Sequence, residues 1–383
     1  MIFSKAVWTG IVKFCFCLLF LLFSIGQPLF SAAPSSPCDY RPATSSFRDF
    51  RLRAQYNYFD DSNISSTGDV NRGTFATTYL NFFDSPSHSY RLSSDYSISF
   101  NKEDSSYNLT SQGSYNVYFA QKDFFGYGAT TIEASSAFPN QFGLTLTTGL
   151  GLGRFKNVTP MTKAMRINQI LVAGDVIRGN LTREALQKIA DEIAKRGEPD
   201  ELTKLVQAVE NIIENTGQVK EEELNAVELL RLRDLLSEKV DTRTCGWNFK
   251  VGLGYEAFDP QGFERDIVAD TSVDYALAFN PSTQFRIGSR LTTSLSIPAT
   301  YSISGLLEYG YRINQQVDVQ LLYSFLQLQD KGGSEFVSHS IDLRTDIQLG
   351  DDVSLAINIT TNWETGYEEL ARGVSLDLTY DWL

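Results

Sequence analysis

Histidine is nearly absent from this chain: among 383 residues there are two, His88 and His339. That leaves little material for a histidine-based metal site or a catalytic triad. No Gly-x-Ser-x-Gly elbow, phosphate-binding loop or zinc-type cysteine spacing occurs, so no catalytic, cofactor or metal residue is expected. Basic residues are outnumbered, 33 Lys and Arg against 46 Asp and Glu, for a formal charge of −13. This argues against nucleic acid as a partner, which demands clustered positive charge. Long apolar runs are scarce as well. The run Phe14 to Ile25 has twelve residues, short of the ~20 a membrane helix needs. A bundle of membrane helices is therefore excluded. What is abundant is aromatic, 13% of the chain, at a mean hydropathy of −0.18. A transmembrane β-barrel fits this combination, because it hides its apolar band in every second residue.

Lys5 and Lys13 with the run that follows have the form of an export signal. We read residues 1–33 as that signal, with a cut after Gly26 or Ala33. Cys15 and Cys17 leave with it. Cys38 and Cys245 remain, as a disulfide or as two thiols, and export favours the pair.

Two blocks of period-two alternation follow, 46–158 and 245–383. Phe50, Leu52, Ala54, Tyr56 and Tyr58 share one face, and Arg51, Arg53 and Gln55 the other. Trp247, Phe249, Val251, Leu253 and Tyr255 repeat the pattern, as do Val317 to Phe325, until Gln327 breaks the phase. Six strands before residue 158 and eight after 245 make about fourteen. Turns such as Ser85-Pro86-Ser87 and Gly350-Asp351-Asp352 alternate with longer polar joints such as 60–73 and 259–270. The fold class is an all-β transmembrane antiparallel barrel with an inserted α-helical domain.

The last strand carries Val374, Leu376, Leu378, Tyr380 and Trp382 on one face before Leu383. It resembles the carboxy-terminal strand of bacterial outer-membrane β-barrel proteins, with the aromatic at the penultimate position. The resemblance implies a porin-like barrel in the cell outer membrane, with outer-membrane lipid and the barrel-assembly machinery as partners. Tyr380, Trp382 and Leu383 would then be the assembly signal, and 34–45 a periplasmic segment.

This register turns Arg51, Arg53, Arg91, Asp95, Lys250, Glu256, Asp274, Arg286, Arg290, Glu308, Arg312, Asp318, Asp342, Arg344 and Asp346 toward the lumen. Such a lining holds water and ions, as in a channel for small polar or charged solutes. The same charges also suit a lumen closed by ion pairs. Arg286, Arg290, Arg312 and Arg344 favour anions, and the interleaved acids oppose them. Gly149, Gly151, Gly153, Gly252 and Gly254 leave room for the insert or let strands bend.

Between the blocks, 159–244, the period becomes helical. Thr159-Pro160 reads as a cap and a first turn, Thr182 as a second cap, and Glu221-Glu222-Glu223 as an acidic helix start. Four amphipathic helices result. Strand parity puts them in the periplasm, as a plug, a partner-binding domain or a self-packed cap. Non-conducting and soluble exported β-proteins are the competing readings.

Overall fold

The computed structural model describes residues 36–381 except 43, 60–69, 102–103, 120–122, 138–139, 196–201, 222, 238–241, 260–265, 297–298, 315, 330–332, 351–352 and 366–370. The expected export signal, and Trp382 and Leu383 of the assembly signal, lie outside these residues.

The wall consists of β1 Ser45–Phe59, β2 Val70–Asp84, β3 His88–Asn101, β4 Asp104–Tyr118, β5 Phe124–Ser135, β6 Phe142–Asn157, β7 Thr244–Phe258, β8 Ile267–Asn280, β9 Thr283–Ser294, β10 Tyr301–Arg312, β11 Val317–Gln329, β12 Glu335–Gln348, β13 Val353–Glu364 and β14 Ala371–Asp381. Each pairs antiparallel with its neighbours in chain order, and β1 pairs with β14, so the sheet closes. Strands run from 11 to 16 residues, enough for a bilayer crossing of ~9–11 and well above the ~5–6 of soluble sheets.

Alternation decides the faces. Leu146, Leu150, Leu152, Val251, Leu253, Val374, Leu376 and Leu378 all stand exposed on the outer row, Val374 at 74%. Side chains of this kind around a closed sheet make a lipid-facing belt. In β2 two rows compete in sequence. The register puts Phe75, Thr77 and Tyr79 outside, opposite Ala54, Leu52 and Phe50, and turns Ala76, Thr78 and Leu80 inward. The expected phase break at Gln327 does not occur. Alternation continues, so Leu326 and Leu328 face inward opposite Ser304 and Ser302. Gln327 stays on the outer row, where it donates to Tyr301 Oη at 3.2 Å.

Four helices lie between β6 and β7: α1 Thr159–Ala173, α2 Arg183–Lys195, α3 Leu202–Glu214 and α4 Ala226–Ser237. They share one buried cluster, in which Ile167, Ile189, Val209, Ile213 and Leu232 are almost fully enclosed. The loops joining α1 to α2 and α3 to α4 meet in an antiparallel bridge, Ile177 with Val219. The insert is thus two helix–loop–helix halves set together. Its caps partly differ from the sequence reading. Val158 is the first cap, and Thr159 is already helical with its N–H on Asn157 Oδ1 at 3.0 Å. Thr182 Oγ1 accepts from Ala185 N at 3.3 Å. Asn225 Oδ1 accepts from Glu228 N at 3.1 Å while Glu228 Oε2 accepts from Asn225 N at 2.9 Å. This capping box starts α4, so Glu221 and Glu223 precede the helix instead of opening it.

Candidate functional site in the lumen

The pairing chain carries one parity around the wall. Asp318 opposes Arg312 and Asp346; Glu308 opposes Arg286 and Leu322; Leu322 opposes Asp342; and Gln320 opposes Arg344. Ser272 stands between Lys250 and Arg290, and Asp274 lies two residues along the same row. Glu256 opposes Thr145. Thr78 stands opposite Arg51 and Asp95, with Arg53 and Arg91 on the same parity. All fifteen residues therefore share the inner row.

Opposite charges pair there, as like charges on neighbouring strands would repel. Arg290 Nε donates to Asp270 Oδ1 at 2.6 Å. Arg312 grips Asp318 with two bonds, 2.9 and 2.8 Å, and Arg344 grips Asp346 at 2.7 and 2.6 Å. Arg286 lies 3.5 Å from Glu308, and Arg51 2.9 Å from Asp49. Asp342 accepts from Ser340 at 2.8 Å and Thr360 at 2.6 Å. The pairs are not sealed from water: the Arg290 and Arg51 side chains remain 41% and 40% exposed.

Three inner groups escape the sequence reading. Asp270, expected in a loop, belongs to β8, which starts at Ile267. Glu133 of β5 faces inward opposite Thr110. Arg154 falls on the outer row by strict alternation, yet it meets Asp84 of β2 at 2.7 Å and caps the Tyr118 ring at 4.6 Å. The cause is Gly153, whose φ of 95° breaks the alternation of β6. A Cβ there would lie 2.2 Å from the Trp247 carbonyl oxygen.

The glycine row makes room for aromatic rings of the wall itself. A Cβ on Gly151 would come within 2.3 Å of the Phe125 ring, and one on Gly252 within 2.3 Å of Tyr127 Oη. Phe125, Tyr127 and Tyr118 form a second buried cluster on this floor. Lys250 Nζ stands over both, 5.9 Å from the Phe125 ring and 5.4 Å from Tyr127. Lys250 also interacts electrostatically with Asp274 of β8 and Arg91 of β3.

The root of the insert enters the same end of the barrel. Arg286 Nη2 donates to the Thr242 carbonyl at 2.9 Å, and Gln284 Nε2 to that of Thr244 at 3.0 Å. Arg243, 4% exposed, approaches the inner side of Gly310, 3.7 Å from where a Cβ would sit. Cys38 and Cys245 are joined, with Cα atoms 5.3 Å apart.

The histidines lie on the outer row near opposite ends of the wall. His88 opens β3, not a turn, and packs between Phe83 at 5.4 Å and Tyr115 at 5.9 Å. His339 stacks on Trp363 at 4.8 Å and bonds Tyr323 Oη through Nδ1 at 2.9 Å. These rings build the two interfacial girdles. Among the described residues no group of three His, Cys, Asp or Glu is placed to hold a metal ion.

No known protein family and no curated protein matches this sequence. Solved structures similar to it include the outer membrane protein Omp33 of Acinetobacter baumannii, at 9% identity and a TM-score of 0.32, over 89% of this chain and 100% of that one. OmpT, an outer membrane protein of Vibrio cholerae, is similar at 7% identity and a TM-score of 0.35, over 89% and 99%. The TodX monoaromatic hydrocarbon channel is similar at 7% and 0.28, over 91% and 92%. By its own architecture, an even-numbered closed antiparallel sheet that is apolar outside and charged inside, the chain has the build of a transmembrane β-barrel.

Proposed function

We propose that this barrel is an outer-membrane channel for small polar or charged solutes, with its helical insert in the periplasm. The observation that carries the reading is the water exposure of inward charges. Arg290 and Arg51 keep two-fifths of their surface although they stand on the inner row. In an eight-strand barrel side chains fill the interior; at fourteen strands the bore is wider. Short turns and the insert share one end, and in barrels of this class short turns face the periplasm. Export by residues 1–33, outer-membrane lipid around the belt and delivery by the barrel-assembly machinery belong to the same reading. No catalytic role is assigned, since both histidines sit in aromatic girdles away from the inner charges.

A second reading, a barrel acting through a periplasmic partner of its insert, draws support from α4. Val227 and Leu230 stand one turn apart on that helix at 66% and 58% exposure. Planar-bilayer recording separates the two. Discrete conductance steps are expected of the purified protein, and membranes that stay sealed at high protein load would overturn the channel.

A further inference from the structure

Among the described residues, Lys250 has no hydrogen bond or ion pair to an acid. On the inner row it stands between Gly151 of β6 and Ser272 of β8, which carry no charge. Two carboxylates lie diagonally from it, one on each side of Ser272. Asp270 is engaged by Arg290 at 2.6 Å and Thr292 at 3.1 Å. Asp274 leans the other way, since a Cβ on Gly288 of β9 would lie 2.9 Å from its Oδ1. The Lys250 ammonium rests over the rings of Phe125 and Tyr127 instead. A ring face attracts a cation but leaves its N–H donors unspent.

Arg91 is the second such group. It stands between Phe82 of β2 and Ser114 of β4, again without a charged neighbour. It is exposed although it belongs to the inner row, so the lumen around it is wet. Among the described residues it too bonds no carboxylate. Its charge acts on Asp274 and Arg286, whose strands are not its neighbours in the sheet, and on Lys250. Asp95 is four residues along β3, roughly 13 Å away at ~3.3 Å per residue. That exceeds the ~8 Å over which a charge carries in physiological salt.

The arginines that alternation offers as an anion-attracting group differ in this respect. Arg286, Arg290, Arg312 and Arg344 each face an acid within ion-pair distance. Arg53 lies in the field of two acids and two arginines, a balanced set. Arg91 and Lys250, by contrast, share one acid that is not bonded elsewhere, Asp274. The cluster therefore carries an excess positive charge with its donors toward water.

We propose that Arg91 and Lys250 form an oxyanion-binding station in the lumen, where the carboxylate or phosphate group of a solute supplies the missing counter-charge. The planar guanidinium offers paired N–H groups to two oxygens, and the ammonium adds a point charge. Asp274 acts as a brake. It keeps binding weak enough for the anion to leave, as passage requires. As a statement of solute class this rests on the channel reading; the binding of the anion does not.

Inorganic phosphate titrated into the full-length protein in detergent and physiological salt, followed by broadening of its phosphorus NMR line, tests the station. Saturable broadening is expected. Lys250→Gln and Arg91→Gln should each weaken the affinity roughly threefold, the effect of one unit charge about 6 Å away in water. Asp274→Asn should strengthen it by a similar factor, a gain that a damaged fold cannot mimic. In planar bilayers under a salt gradient, the first two changes should move the reversal potential toward cation preference and the third toward anions. No broadening in the parent, or an affinity that either cation can lose without effect, overturns the station. An unchanged affinity in Asp274→Asn overturns the brake. Tuned binding in membranes that never conduct keeps the station and defeats the channel reading. Conductance whose reversal potential ignores all three changes keeps the channel and overturns the station as part of its path.

Discussion

Arg154 of β6 and Asp84 of β2 meet at 2.7 Å although three strands separate them along the wall. Arg154 also donates to the Ser85 carbonyl and caps Tyr118. The pair is a strut that pinches off the lobe formed by β3, β4 and β5.

Arg154→Met should leave the Asp84 carboxylate, 5% exposed, without its main counter-charge. Removing one partner of a buried pair costs on the order of 3–5 kcal/mol, with the lower part of that range fitting a partly exposed arginine. Adding Asp84→Asn should recover part of the loss. Urea unfolding of the single and double variants in detergent checks this, and equal stability of all three proteins would refute the strut.

Gly151→Ala should force the fully buried Phe125 ring from its floor. Overpacking of this kind costs about 1–3 kcal/mol. The variant should lose its heat-modifiable gel mobility at a lower temperature than the parent, and Phe125→Leu in the same chain should restore much of the difference. A parent-like profile in Gly151→Ala would show that the ring has space to yield.

Arg290→Ala should leave Asp270 with Thr292 as its remaining donor, at 3.1 Å. The lumen loses a positive charge where water already reaches. Under a salt gradient the reversal potential should move toward cation preference, and Arg290→Lys should move it less. An unmoved potential in Arg290→Ala would place the solute path elsewhere.

Tyr40, 1% exposed within the helical cluster of the insert, carries a pH prediction. Burial first, and then its bond to the Asp191 carboxylate, hold its phenol above the usual tyrosine range. A folded value above the unfolded one means that the contribution is complete below the ordinary tyrosine value of about 10 and fades as pH rises through the folded value. Docking of the insert should thus be insensitive to pH from acid to mildly alkaline conditions and loosen only in strong alkali. Tyr40→Phe should abolish that alkaline step, measured as proteolytic release of α2.

Much of this architecture is legible from alternation alone, because a lipid-facing side chain and a water-facing one differ at every second position. The strand set, the place of the insert and the inner row all follow from that period. Legibility ends where the backbone departs from it. Arg154 and the buried Cys245 are misplaced by parity because Gly153 and Gly246 take positive φ, and a glycine in sequence does not announce its torsion. Asp270 is lost because Asp259 to Asp270 has the composition of a joint. Leu326 and Leu328 mislead in the opposite sense: apolar residues on a largely polar inner row mimic a phase error. The ion pairs of Arg290 with Asp270 and Arg154 with Asp84 depend on which strands become neighbours or face one another, and no local pattern records that.

Among the described residues, the wall is also a zip with one short row of teeth. The ladder between β1 and β14 runs from Arg51 with Asp381 to Ala54 with Leu378, whereas that between β1 and β2 spans Ser45 with Asp84 to Phe59 with Val70. Among the described residues, the step that turns a sheet into a tube joins the most distant parts of the sequence through the fewest paired residues. A growing sheet could add its other thirteen seams one after another, each by a local hairpin or across the insert, and keep two free edges until the end. Fusion with the bilayer would then end with this seam, and any sideways parting of the wall would begin at it.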